Sequence, residues 1–432
     1  MGGTWISQNK ELPGVYVNFK SDKPLAISLG DRGVVALPIE LDWGEENKLF
    51  TITPMDDTFK LFGYPQMRIS ALRESLKNAT QALVYRINSG TKATAEILTG
   101  VTATAQYTGE RGNDISVVIS STDDGAFDIT TFVETEQVDV QTISSISDYK
   151  PNGWVVLSGE GELGASTKTL TGGSNTLPQL NDYQKFLEQM EVQFFNTVAY
   201  IGDDSEIKQL FATFVHNMRE NEGIKVQTVL ADYTGDYEGI INVGNGVILE
   251  NGEKLSANEV CAWVAGATAG ARINQSITNQ TYGGAIDVYP RMTTVEKEKE
   301  VKAGKFLFTV NSSQKVTALY DINSLTTYTT SKSKDFRKNR VIRALDNINN
   351  DVVTIFESNY MGKVDNNNYG RSLFKASLVE YFNELQRLGA IQNFENDDVI
   401  VSQGVEIDAV VVDCYIQPVD SAEKFYMTVT VK

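Results

Sequence analysis

Histidine and cysteine are nearly missing from this chain, which has one histidine, His216, and two cysteines, Cys261 and Cys414, in 432 residues. With a single imidazole, neither a Ser–His–Asp relay nor a histidine-rich metal site has much to draw on. His216 falls on the polar side of a helical stretch, so a surface position is expected. The cysteines lie far apart, and Met1–Trp5 shows no basic region followed by an apolar one, so no signal peptide is read and the Asn-x-Ser/Thr triplets count as chance. Two buried, inert thiols are expected rather than a disulfide. Apolar runs of about 18 residues are absent, which excludes a membrane-spanning helix. Basic residues are outnumbered, 38 Lys and Arg against 56 Asp and Glu, for a net charge of −18. Such a chain is poorly suited to neutralising phosphates, so nucleic acid is not an expected partner, and its charge keeps monomers apart.

Chemical motifs are scarce too. Gly202-Asp203-Asp204-Ser205 sits between a strand and a helix, where a phosphate cradle would lie, but its carboxylates would repel phosphate and read better as a helix cap. Gly244-Asn245-Gly246 leads from one apolar run into another and reads as a hairpin turn. Asp56-Asp57 precedes a helix-like segment, where acids complement the dipole. Asp365-Asn366-Asn367-Asn368 lacks the Gly and Glu of a calcium loop and reads as a capped turn. No catalytic, cofactor-binding or metal-ligating residue is assigned.

What is present is organisation. Residues 1–23 form an arm whose Pro13-Gly14 turn precedes an alternating strand of Val15, Tyr16, Val17 and Phe19. Residues 24–87 begin an α/β domain, with strands at Arg32–Leu37, Leu49–Ile52 and Ala82–Arg86 and a helix marked by Ile69, Leu72, Leu76 and Ala79. Residues 88–176 turn rich in Thr, Ser, Gly and Val and alternate with period two in Ala103–Tyr107, Ile115–Ser121, Phe127–Phe132 and Val138–Ile143, an inserted, mostly β domain. Residues 177–300 resume the α/β pattern. They hold a helix with Phe186, Leu187, Met190 and Phe194, a second capped at Asp204 or Ser205, and a third from Ser256 to Ile273 whose Ala and Gly residues suit close packing. Residues 301–420 form an α+β domain, with a long helix from about Lys334 to Ser358, another through Phe374, Leu378, Tyr381, Phe382 and Leu385, and strands at Val399–Val401 and Ala409–Val412. Residues 421–432 form a second arm, in which Phe425, Met427, Val429 and Val431 alternate with Tyr426, Thr428 and Thr430. The fold class is therefore α/β (α+β): a layered sheet-and-helix core, a mostly β insertion and extended β arms at both ends. Terminal strands without a neighbouring hairpin partner pair either with their own domain or with another chain.

One charge feature opposes the overall balance. Lys332, Lys334, Arg337, Lys338, Arg340 and Arg343 crowd one segment with a single acid, Asp335. Placed in the first turns of a helix, Arg337, Lys338 and Arg340 would oppose its dipole. Either this is a solvated end paired with the chain's own acids, or it contacts an acidic protein partner.

Four stretches resemble the tail sheath proteins of contractile phages and tail-like particles of Gram-positive bacteria: Pro13–Val17; Ala105–Val117, with its Gly109-Glu110-Arg111-Gly112-Asn113 core; Asp321–Thr327 with Lys338–Arg343; and Gln417–Ser421. The resemblance implies a subunit that polymerises as helical rings around an inner tube and contracts to drive it through a target envelope. It implies baseplate and tail terminator proteins as further partners, a place in the tail after assembly in the host cytoplasm, no membrane insertion, and no nucleotide or metal. It also implies that Val15, Tyr16, Val17, Phe19, Phe425, Tyr426, Met427, Val429 and Val431 lie in arms that add strands to another subunit. Lys334, Arg337, Lys338 and Arg340 are candidates, on charge alone, for contact with the tube. Other readings are a tube or baseplate protein of the same particle, and a nucleotide-binding α/β enzyme.

Overall fold

The computed structural model describes residues 2–3, 15–16 and 32–431. The chain divides into two compact units, one of Asp31–Asn349 with Val419–Lys432 and one containing Asn350–Pro418. Val15–Tyr16 pairs in parallel with Gly2–Gly3; Val17, Phe19 and the rest of the N-terminal arm lie outside the described residues.

The larger unit is built on one sheet. Strands β1 (Val34–Ile39), β2 (Leu49–Ile52), β3 (Gln81–Arg86), β4 (Thr197–Ala199), β5 (Gln227–Ala231), β6 (Ile240–Val243) and β7 (Lys305–Phe306) lie in the order β7-β6-β5-β4-β1-β3-β2. All are parallel except the edge strand β2. Successive side chains point to opposite faces, so a sheet covered on both sides needs apolar residues throughout. In β1, Val34 and Ala36 join one core while Val35, Leu37 and Ile39 join the other. Helices at Leu180–Met190 and Ser205–Glu220 cover the first face with Phe186, Leu187, Met190, Phe211, Val215 and Met218. The second is covered by helices at Ser70–Ser75 and Cys261–Gly270. Asp204 caps its helix by accepting from the Glu206 and Ile207 amides, which stabilises it by about 1 kcal/mol. In the Cys261–Gly270 helix, a Cβ on Gly266 would stand 2.1 Å from the Ser75 carbonyl oxygen, and one on Gly270 would stand 2.0 Å from that of Asn78. The glycines are what let the Ser70–Ser75 turn lie against this helix.

The insertion is a β-sandwich. One sheet orders Glu136–Ile143, Phe127–Val133, Ile115–Ser121 and Ser166–Thr169; the other orders Val155–Gly159, Val101–Ala105 and Thr94–Leu98. Alternate residues such as Ile115, Val117 and Ile119 fill the space between them. It is fastened to the α/β layer by aromatic stacking and one buried cation. Trp43 stacks on Trp154 at 5.2 Å, and Phe59 lies 5.1 Å from Trp154. Arg111 is 2% exposed, donates to the Gly63 carbonyl (2.9 Å), Asp114 (2.9 Å) and Glu134 (2.5 Å), and lies over the Tyr64 ring. Gly109, at φ +121, passes so close to Asp42 that a Cβ would meet its carbonyl oxygen at 1.9 Å. The Asn113 side chain exchanges two 2.8 Å bonds with the Gly173 backbone. The Gly109–Asn113 motif thus joins two domains.

Several expectations need correction. Gly244–Gly246 is not a hairpin turn: β6 stays in the parallel sheet, whereas Gly246–Leu249 pairs with Lys254–Leu255 and Ala285–Tyr289. The Asn245 side chain, bonded to both backbone groups of Phe308, holds the chain as it changes sheets. Phe194 lies beyond the Leu180–Met190 helix and is exposed, its neighbour Phe195 taking the buried place. The expected Ser256–Ile273 helix is confined to Cys261–Gly270. The helix expected from Lys334 begins at Asn339 and runs to Asn359, while Lys334–Arg337 forms a separate 3-10 turn capped by Ser333. The break has a cause: Asn323 N–H donates to the Arg337 carbonyl and Asn339 N–H to that of Asp321, which holds Lys338 extended. Lys334 and Arg337 therefore escape the dipole of the long helix. Cys261 is buried as expected, but Cys414 is exposed.

Replacing Gly266 with Ala is expected to destabilise the chain by about 1–3 kcal/mol through overpacking against Ser75, read as a fall in thermal midpoint. Replacing Arg111 with Met is expected to cost about 2 kcal/mol, since Gly63 loses its buried donor while Asp114 and Glu134 regain water. The Arg111 hydrogen bond, then its charge, holds the Glu134 carboxyl below its ordinary value. That stabilisation is complete above the ordinary carboxylate range and is lost as pH falls through the depressed value. Acidification should therefore cost the wild type more stability than the Arg111→Met variant, measured by thermal unfolding across that range.

Candidate functional site: an open hairpin and an unpaired terminal segment

The smaller unit carries the Asn368–Arg387 helix, capped by Asn367 through the Gly370 amide, with Phe374, Leu378, Tyr381, Phe382 and Leu385 buried. Against it lies a two-stranded antiparallel hairpin, Val399–Gln403 with Val410–Cys414, in register from Val399↔Cys414 to Gln403↔Val410. Its loop is tied down by Gly404 N–H to the Ala409 carbonyl and by the Asn366 amide, which donates to the carbonyls of Ile407 and Ala409. Among the described residues neither outer edge of this hairpin is paired. Each edge presents a row of backbone donors and acceptors, which is a template for a further strand. A cavity of about 460 Å³, lined by Phe356, Tyr360, Val364, Arg371, Phe374 and Val410, borders one of the two strands.

Residues 419–431 form no strand within the single chain, so of the two pairings open for this segment its own domain supplies none among the described residues. Alternation alone does not make a strand, because the ladder needs a neighbour. Phe425 (84%), Tyr426, Met427, Val429 and Val431 (90%) are exposed, an apolar row that nothing described in the chain covers.

The segment is nevertheless held at its base, in the larger unit. The Glu423 carboxylate accepts from Ser276 (3.0 Å), Thr278 (2.6 Å) and Ser421 (2.9 Å), and from the Lys338 ammonium. Lys338 also pairs with Asp420 at 3.1 Å and lies over the Tyr320 ring. Burial pushes the Glu423 carboxyl up, but Lys338 and the hydroxyls outweigh it and hold the group below its ordinary value. Burial likewise lowers Lys338, and Glu423 and Asp420 more than reverse that. The two stretches Lys338–Arg343 and Gln417–Ser421, far apart in sequence, meet at this base.

The basic segment is thus mostly committed to its own chain. Lys332 pairs with Glu238 (2.5 Å), Arg337 donates to the Val301 carbonyl, and buried Arg343 donates to the Gln275 carbonyl (2.6 Å) and faces Asp321. Of the four charge-based contact candidates, Lys338 is buried, Arg337 and Arg340 are half-buried, and Lys334 is exposed. Sequence reasoning named Lys338 for its charge but had no signal for Glu423, because nothing local links residues so distant. Asp204, one of the two cap positions expected, caps its helix, and within the expected capped turn at Asp365–Asn368 it is Asn367 that caps the helix that follows. Among the described residues no three His, Cys, Asp or Glu side chains are placed to hold a metal ion, and no helix is long and apolar enough to cross a membrane.

Comparison with known proteins matches almost the whole chain. The description "Tail sheath protein Gp18 domain III N-terminal region" fits residues 32–87, and "Phage tail sheath protein beta-sandwich domain" fits 88–175. "Phage tail sheath protein central domain" fits 179–324 and "Phage tail sheath C-terminal domain" fits 331–432. The phage-like element PBSX protein XkdK of Bacillus subtilis (strain 168) is 37% identical over 100% of this chain and 99% of its own length. The crystal structure of a sheath tail protein from Desulfitobacterium hafniense is 43% identical, with a TM-score of 0.89 over 97% of this chain and 100% of that one. The fold is also similar to the helical sheath of the anti-feeding prophage in its contracted state, at 13% identity and a TM-score of 0.56 over 98% of this chain and 99% of that one.

The exposure of the hairpin is open to direct measurement. Thiol labelling of the native monomer at mildly alkaline pH should modify Cys414 and spare Cys261, the second thiol reacting only after unfolding. Equal labelling of both would contradict the placement of these strands.

Proposed function

This chain belongs to the phage tail sheath protein family, a subunit of a contractile tail sheath, and on that premise we propose how its open elements build the polymer. The terminal segment from Phe425 to Val431, and the N-terminal stretch of Val15, Tyr16, Val17 and Phe19, are donors of strands. The Val399–Gln403/Val410–Cys414 hairpin of another subunit is the acceptor, with one edge for each arm. What supports this reading is one observation: among its described residues a single chain carries both an uncovered alternating apolar segment and a hairpin with unpaired edges. On an added strand, Phe425, Met427, Val429 and Val431 would share a face, and the recess beside Val410 offers room for one of them. Five backbone hydrogen bonds at about 0.5–1.5 kcal/mol each make one such link modest and a lattice of them strong.

The assembled rings surround an inner tube. Contraction moves subunits as nearly rigid bodies that stay linked through their arms, and the tube is driven through a target envelope. The rearrangement draws on the packing of the lattice, a metastable arrangement exchanged for a lower one, and needs no catalysis, nucleotide or metal. Partners are other copies of this chain, the inner tube protein, and baseplate and tail terminator proteins, with no nucleic acid and no insertion into a membrane. The particle, a virion tail or a tail-like device, is assembled in the host cytoplasm. For contact with the tube we retain Lys334, Arg337 and Arg340, with exposed Lys334 foremost, and withdraw Lys338.

The purified chain should form hollow striated tubes in negative-stain electron microscopy. Deleting Phe425–Lys432 should leave a folded monomer that no longer polymerises; an unfolded product would place the segment in its own core, and persisting tubes would refute strand donation. Lys334→Glu should weaken co-assembly with the inner tube protein while sparing self-assembly, and an unchanged yield of sheathed tubes would remove Lys334 from the contact.

A further inference from the structure

We propose that the Lys338–Asp420–Glu423 cluster is the mechanical root of the C-terminal arm, the point at which tension on the arm enters the larger unit of the subunit. This rests on the sheath reading above and assigns a positioning role within it.

The case begins with the path of the chain. Pro418 is the last residue of the smaller unit, where Gln417–Pro418 is held by a two-residue pairing with Ile391–Gln392. Were residues 419–423 loose, a pull on the arm would act on that short pair. Instead it meets Glu423 first. Four donors converge on this carboxylate from three places: Ser276 and Thr278 on one loop, Lys338 just before the long helix, and Ser421 two residues back.

Each of those supports is itself fastened. The Thr278 hydroxyl also accepts from Asp321 N–H at 2.9 Å. Asp321, fully buried, accepts from Ile277 N–H (3.1 Å) and the Asn339 amide (3.0 Å) and faces the Arg343 guanidinium. The backbone on either side of Lys338 bonds to that of Asp321 and Asn323. The arm base, the 276–278 loop, the 321–323 segment and the start of the long helix therefore form one closed hydrogen-bonded ring. An ammonium flanked by two carboxylates and seated on the Tyr320 ring is directional and partly shielded from water, which makes it stiffer than an exposed pair.

Geometry also fixes what losing the root would do. Releasing Val419–Glu423 adds five residues to the tether, about 17 Å of slack at full extension. An acceptor hairpin could then be engaged over a range of distances instead of one. The root would matter little to the fold of a monomer and much to the regularity and strength of a lattice.

The test compares full-length wild type with Lys338→Met, Glu423→Gln and the charge-preserving Lys338→Arg. The order of the 419–423 backbone in the monomer, read from nitrogen-15 relaxation, should fall clearly in the first two and stay near wild type in the third. All should still form tubes, but those of Lys338→Met and Glu423→Gln should show a broadened axial repeat and break under milder sonication, with Lys338→Arg restoring both. A loosened segment with tubes as regular and as resistant as wild type would reduce the cluster to a local stabiliser and overturn the proposal, as would unchanged backbone order. A wild-type chain that forms no tubes, alone or with the inner tube protein, would instead sink the sheath reading, and the root's role with it.

Discussion

A strand is stable only when its backbone groups find partners, and this chain leaves that requirement unmet in two places at once. Among the described residues, the hairpin of the smaller unit has unpaired edges, and the terminal segment has alternating side chains but no ladder. In most proteins such exposure is an aggregation hazard countered by charge, proline or a covering helix. In the assembly proposed above, donor and acceptor lie on the same chain, and one copy's segment would satisfy another copy's edge. Net charge of −18 opposes premature association of monomers, so pairing has to be specific to proceed.

The rest of the larger unit is closely packed and cross-linked. The parallel sheet is covered on both faces, and its helices approach closely where Gly266 and Gly270 remove side chains. The insertion is joined by stacked tryptophans and by Arg111, whose bonds reach across from the sandwich to the Gly63 carbonyl. Arg219 grips Asp346 through two bonds of 2.6 and 2.8 Å, tying the Ser205–Glu220 helix to the long one. Buried ion pairs add little net stability compared with apolar packing, but they fix the geometry of the helices they join.

The cations illustrate how charge is used. A basic cluster in an acidic chain invites a search for a partner, yet most of it is paired internally, with Lys332 on Glu238, Lys338 on Asp420 and Glu423, and Arg343 against Asp321. Those pairs organise the start of the long helix and the point where the terminal segment departs. Charge counted along a sequence measures supply; only the partners say how much is left for other molecules.

What the amino-acid sequence determined by itself was local and periodic. The layered α/β core, the β insertion, the Asp204 cap, the capped turn at Asp365–Asn368 and the small-residue helix were all legible from patterns a few residues long, because period and capping are decided within a turn or a strand. The family likeness of motifs such as Gly109–Asn113 was legible as well, though not what that motif does. What only the tertiary structure decided were the pairings: that Gly246–Leu249 joins another sheet, that the backbone bonds of Arg337 and Asn339 delay the long helix, that Lys338 finds a carboxylate 85 residues away, and that Phe425–Val431 forms no strand by itself. Those outcomes depend on contacts between distant segments, which no pattern a few residues long encodes.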